Sequence, residues 1–156
     1  MHRTVVVSVF AAGLSLGAPL TTWAGGDTPA VTVTPLGPVQ PTNASGQALY
    51  LVQYTIAPGT VLPLHHHEGT QIGLVVSGEL TYRVVSGEVP VFRTEPGGRA
   101  QLVRTVRGGE TATIGAGEWV IEEPDDHHQG ANHGTEPVLI VTSALLRDGA
   151  PLATKD

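Results

Sequence analysis

Cysteine is absent from the 156 residues, which excludes disulfides, thiol catalysis and a lipid anchor carried on a cysteine. Aromatic residues make up only 4% of the chain and charged residues 14%. No basic cluster with regular aromatic interleaving occurs, and the formal net charge is −6, so nucleic acid and anionic membranes are poor partners. The glycine-rich stretch 108–117, GGETATIGAG, lacks the Gly-Lys-Ser/Thr of a phosphate loop. Ser77-Gly78 lacks the flanking glycines of a nucleophile elbow. The acids Glu122-Glu123 and Asp125-Asp126 are adjacent rather than spaced as a sugar-cleaving pair, and read as a solvated loop. Small molecules or proteins remain as partners.

What is present is glycine and proline, 20 and 12 residues, a composition that favours short strands and turns over helices. The length suits one domain with a real core. Residues 1–24 have a basic start at Arg3, an apolar run over 5–20 and the small-residue ending Thr22-Trp23-Ala24, the pattern of a secretory signal. The run is broken by Gly13, Gly17 and Pro19 and is short for a bilayer. The expectation is a secreted or periplasmic protein with no stable membrane anchor after cleavage. Losing Arg3 would leave 7 basic against 14 acidic residues, a net charge of −7. Residues 25–47 are rich in turn formers and read as an N-terminal arm or linker with one short edge strand over 31–34.

Beyond this arm, short alternating apolar runs occupy 49–57, 61–67, 72–76, 80–85, 89–93, 101–106, 111–114, 119–122 and 138–146. Ser77-Gly78, Ser86-Gly87, Gly97-Gly98 and Gly108-Gly109 punctuate them. Helical periodicity is absent, except for one turn expected within 143–152. The reading is all-β, a small sandwich or closed barrel of the jelly-roll type with two packed antiparallel sheets, covering 48–147, with a C-terminal tail over 148–156.

Six of the seven histidines fall in two stretches, 64–68 and 126–134. Residues two apart on a strand share a face, so His65 and His67 point one way and His66 the other. Imidazoles on one face can converge on a metal ion, with a third ligand drawn from elsewhere.

The residues Gly59-x5-His65-x-His67-x3-Gln71-x6-Gly78 resemble the first sequence motif of the cupin superfamily, with Gln71 where that motif usually has glutamate. Gly117-x10-His128-x3-Asn132 resembles the second, with Pro124 displaced by one position and Asp125 in place of an internal glycine. The resemblance spans residues 49–146. It implies a barrel in which His65, His67 and His128 converge on one divalent ion, with Gln71 as a fourth ligand or a hydrogen-bonding neighbour. His127 competes for the third position, but strand alternation and the spacing to Gly117 and Asn132 favour His128. An amide in place of the carboxylate would leave the ion nearer +2, weaken its retention and favour an anionic ligand. Glu123 or Asp126 are alternatives for the fourth position. Copper, zinc, manganese, nickel and iron all suit such a site.

The function implied is metal-dependent chemistry on a small oxygen-rich organic anion, either dioxygenase-like or of the isomerase and lyase kind, with Glu123 or His127 as the base. The competing class is a cupin that captures a small molecule or metal without turnover. A homodimer is expected, through strand edges and the arm.

Overall fold

A computed structural model describes residues 30–156; the signal expected over 1–24 and the start of the arm lie outside the described residues. Among the described residues twelve strands follow one another: β1 (Val31–Val39), β2 (Gln47–Ile56), β3 (His65–His66), β4 (Gly69–Ser77), β5 (Glu79–Ser86), β6 (Glu88–Thr94), β7 (Ala100–Arg107), β8 (Thr111–Gly115), β9 (Glu118–Glu122), β10 (His127–Ala131), β11 (Val138–Arg147) and β12 (Thr154–Lys155). They form a seven-stranded sheet, ordered β1-β2-β11-β4-β9-β6-β7, and a five-stranded sheet, ordered β12-β3-β10-β5-β8. All pairings are antiparallel. The expected all-β barrel of two packed sheets is therefore the fold.

The inward positions of both sheets build one core. Val52, Ile56, Val75, Val84, Val89, Val91, Ile114 and Val138 are almost wholly removed from water, each stabilising the fold by about 1.5–3 kcal/mol relative to exposure. Gly78 turns β4 into β5 with φ +81°, and a Cβ there would meet Val138 Cγ2 at 3.0 Å and Pro137 O at 3.1 Å. Buried Asn132 ties the loops at one end of the barrel. Its amide donates to Ile56 O and Glu136 O, both at 2.9 Å, and its Oδ1 accepts from Gly134 N.

Three local expectations are corrected. Residues 31–39 are a full strand of the barrel, in register with β2 from Val31↔Ile56 to Val39↔Leu49, rather than a linker with a four-residue strand. Pro35 and Pro38 made this stretch look irregular; they fit because β1 is an edge strand and a register shift absorbs the pairing between Pro35 and Gly37. Among the described residues there is no helix, and the turn of helix expected within 143–152 is instead the end of β11 followed by a tight turn at Asp148-Gly149, closed by Ala150 N donating to Arg147 O at 2.9 Å. Pairing with β2 on one side and β4 on the other overrides the local preference of Ala144-Leu145-Leu146. The run 61–67 contributes only the two residues of β3, with Val61 joined to Ala131 by an isolated bridge.

Candidate metal centre

The histidine strands meet in the five-stranded sheet. β3 and β10 are neighbours, with His65 directly opposite His128, and His67 follows one residue beyond β3. Alternation turns these side chains inward: His65, His67 and His128 are buried, whereas His66 and His127 are half-exposed. The three inner rings have centroids 4.4–5.3 Å apart, and their ligating atoms lie within 4.8 Å of one another.

Each inner ring is tethered through Nδ1 to a backbone carbonyl. His65 donates to Pro63 O at 2.9 Å, His67 to Leu152 O at 2.6 Å and His128 to Asp126 O at 3.0 Å. A carbonyl can only accept, so each ring keeps its proton on Nδ1 and presents Nε2 as its lone-pair nitrogen. Such anchoring of the far nitrogen fixes the tautomer and ring orientation of metal-binding histidines. Burial, reinforced by the neighbouring His128, lowers His65 to about 4, and burial also lowers His67. Both are thus neutral at neutral pH, the state a metal ion requires.

The seven-stranded sheet supplies the polar wall opposite. Gln71 on β4 is paired directly with Glu122 on β9, and both are buried. The Gln71 amide donates to His67 Nε2 at 2.7 Å and makes a short bond to Glu122 Oε2. Tyr82 donates to Glu122 Oε1 at 2.6 Å. The Glu122 carboxylate lies 3.3 Å from His128 Nε2 and 3.6 Å from His67 Nε2. Burial by itself would raise the Glu122 carboxyl; the charges of His128 and His67 and the bonds from Gln71 and Tyr82 outweigh it and hold the group at about 2. Burial first and the Glu122 charge second push the Tyr54 and Tyr82 phenols well above their ordinary range, so both stay protonated donors.

These residues fit a divalent ion: three imidazoles with fixed tautomers and an ionised carboxylate are a donor set suited to a borderline metal. The carboxylate missing at position 71 stands across the strand pair at position 122. Glu122 is the residue that sequence reasoning missed, because it closes a strand and opens an acidic run that reads as a solvated loop. Its alternation with Val120 was a usable signal; its register with Gln71 was not.

The other expected site residues lie elsewhere. Glu123 is exposed and bonded to Thr70 Oγ1 at 2.5 Å, outside the cavity, so the acid–base position expected there is corrected. His127 faces away from the inner rings and bonds Asp156, which removes it from the same role. Asp126 is buried but serves the backbone, accepting from Glu88 N at 3.0 Å and Glu123 N at 2.7 Å. Gly87 permits this approach: a Cβ there would come within 2.0 Å of Asp126 Oδ1.

A cavity of about 630 Å³ leads to the histidines. Apart from the polar cluster its walls are mostly apolar, including Val31, Val33, Leu62, Ile140 and Leu152, with Tyr54 and Lys155 also in the lining.

A two-sheet jelly-roll barrel with a histidine cluster at the end of an apolar cavity defines a class, and comparison with known proteins agrees with it. The Cupin_2 cupin-domain family matches residues 52–97. Over those residues the chain is similar to the cupin domain, and its fold is that of cupin-like barrels. Among solved structures, the DMSP lyase DddQ from Ruegeria pomeroyi DSS-3 superposes with a TM-score of 0.57 at 16% identity, over 86% of this chain and 56% of that one. A cupin-like protein from Thermotoga maritima MSB8 gives 0.52 at 18% identity, over 81% and 75%. A Cupin 2 conserved barrel domain protein from Salinispora arenicola CNS-205 gives 0.51 at 16% identity, over 92% and 89%. The chain spans little more than half the length of the lyase, and identities this low speak to the fold alone. No curated protein sequence matches.

Proposed function

We propose that this protein holds one divalent metal ion on His65, His67, His128 and Glu122 and uses it to bind a small organic anion with an apolar body. The observation that carries this reading is the set of three Nδ1-tethered histidines beside an ionised buried carboxylate. Gln71 acts beside the ion rather than on it, because its amide holds the Glu122 carboxylate. Its other bond takes the His67 lone pair, so an arriving ion must displace it, and retention is weakened accordingly.

When bound, the ion acts as a Lewis acid that stabilises negative charge developing on a ligand oxygen. The protein's own groups do the rest. The apolar walls strip water from the ligand body, and Tyr54 stays protonated as a donor at the wall. Lyase or isomerase chemistry and dioxygenase-like chemistry both suit this arrangement. Capture without turnover is the second reading, favoured by Glu122 itself: both its oxygens already accept hydrogen bonds, which makes it a poor base. The test is metal content by plasma mass spectrometry on wild type and on a His65→Ala/His67→Ala variant. The expected result is near-stoichiometric metal in the wild type and none in the variant. Small carboxylates are then screened for binding, oxygen uptake and product; binding with neither leaves the capture reading. A wild type that gains no metal on titration overturns the metal centre.

The reading includes export through the leader over 1–24, checked by sequencing the N-terminus of the protein recovered outside the cytoplasm. It also includes a homodimer. Across the outer face of the seven-stranded sheet, Ile72 opposes Ile121, Leu74 opposes Trp119, and Trp119 stacks on Phe92 with centroids 4.5 Å apart. Leu51, Ile72 and Leu74 are exposed, an apolar row suited to a second copy.

A further inference from the structure

On the outer side of β3 and β10, back to back with the inner histidines, His66 and His127 stand with ring centroids 4.7 Å apart. Asp156 reaches between them. Its Oδ1 accepts from His66 Nδ1 at 2.8 Å and its Oδ2 from His127 Nδ1 at 2.7 Å. One ligating atom from each of the three residues falls within 4.8 Å of the others.

The backbone sets this convergence. Strand alternation puts the adjacent rings of His127 and His128 on opposite faces, and a register shift against β5 falls between them. β12 pairs with β3 through Thr154↔His66, and Asp156 N donates to Leu64 O at 3.2 Å. The three side chains are 24%, 34% and 20% exposed, open enough for an ion to enter and covered enough to be held in place.

We propose that His66, His127 and Asp156 form a second divalent-cation site that fastens the C-terminal segment over the cavity. Two imidazoles and a carboxylate are a borderline donor set, suited to zinc, copper or nickel, with remaining positions filled by water. In the metal-free arrangement each ring shares its Nδ1 proton with the carboxylate. An entering ion takes both Nδ1 lone pairs and a carboxylate oxygen, each ring then keeping its single proton on Nε2. Metal–donor distances of about 2.0–2.2 Å require the donors to move apart by about half an ångström, a shift that side chains at this exposure can make.

The site matters because of what the segment does. Ala150, Pro151, Leu152, Ala153 and Lys155 line the cavity, and Leu152 O holds the ring of His67. Clamping Asp156 to two strands of the barrel therefore steadies one wall of the cavity and one tether of the inner cluster. The inference does not depend on the inner site binding metal.

The experiment is zinc titration of untagged, chelator-stripped protein, with stoichiometry read by calorimetry and by metal content after dialysis. Wild type is compared with His127→Ala, Asp156→Ala and His65→Ala/His67→Ala. The expected result is two equivalents in wild type and one in each of His127→Ala and Asp156→Ala. The inner double variant should keep one equivalent, and lose it when His127→Ala is added. Carboxypeptidase digestion gives a second readout: zinc should slow removal of the last residues at least tenfold in wild type and in the inner double variant, and not in His127→Ala. No zinc bound by the inner double variant, wild-type stoichiometry in both outer variants, loss of both equivalents in His127→Ala, or no zinc protection of the C-terminus would each overturn the proposal. Failure of the inner site alone would appear differently, as an inner double variant that matches wild type.

Discussion

Glu118 and Glu122 lie at the two ends of β9, face the same way and are almost equally buried, with 5% and 4% exposure, yet their surroundings are opposite. Glu118 accepts from Arg104 Nη1 at 3.0 Å and Nη2 at 2.8 Å, from Arg93 at 3.3 Å and from Gly115 N at 3.0 Å. The hydrogen bond from Arg104, ahead of the opposing effect of burial, holds its carboxyl below the usual range. Glu122 is held by a phenol, an amide and imidazoles. The phenol and the amide bring hydrogen bonds without formal charge. The difference separates structure from function: a carboxylate met by guanidinium is an internal ion pair, whereas one left among neutral donors at a cavity end is arranged for an arriving cation.

The largest expected effect breaks that comparison directly. Glu122→Gln should lower metal affinity at least tenfold in chelator competition, as loss of a ligand or its close support does, while leaving metal-free stability within about 1 kcal/mol, since it also removes a buried charge. Glu118→Gln should do the reverse, leaving metal binding unchanged and costing about 2 kcal/mol in urea unfolding, since Arg104 loses a partly buried partner. Equal effects of the two substitutions on both quantities would erase the distinction.

A smaller effect is expected from Gln71→Glu. It removes the donor that holds Glu122 and places two carboxylates side by side, so metal-free protein should lose about 2 kcal/mol. The same change frees the His67 lone pair and adds negative charge, so metal should bind more tightly. Loss of metal affinity in this variant would mean that the Gln71 amide is itself a required ligand.

Acid titration sharpens the contrast further. The folded Glu118 carboxyl lies below its unfolded value of 4.5; its contribution is complete above that pH and is lost as pH falls through the folded value. Glu118→Gln should flatten that part of the acid unfolding curve. His65 acts in a higher window. Its folded value of about 4 lies below the unfolded 6.5, so the unfolded chain binds the extra proton first and metal-free stability declines as pH drops from 6.5 toward 4. His65→Ala should reduce this decline, the remainder coming from His67, which burial also lowers.

The smallest effect is on the outer sheet. Leu74→Glu should shift sedimentation from dimer to monomer and leave metal affinity unchanged; a monomeric wild type would dismiss the dimer.

Much of the barrel was legible in the order of residues. Period-two alternation located most of the strands, because a half-buried strand exposes its pattern in apolar residues such as Leu80, Tyr82 and Val84. β10 is absent from the apolar runs because His127, His128 and Gln129 are polar, and a strand that places polar groups in a site has no apolar alternation to read. β1 was read only as a short edge strand over 31–34, because its prolines look like a linker until an edge position makes them acceptable.

By itself the sequence determined the all-β class and the shared face of His65 and His67, since alternation is a local property of the chain, while the choice of His128 over its neighbour drew on the motif spacing of the resemblance. Tertiary structure decided which carboxylate joins them. The Gln71↔Glu122 pairing joins residues 51 positions apart, and only the packing of β4 against β9 sets that register. The same holds for Asp156, which meets His66 and His127 because the C-terminal strand closes onto β3. Long-range strand order brings charges together, and no local pattern records it.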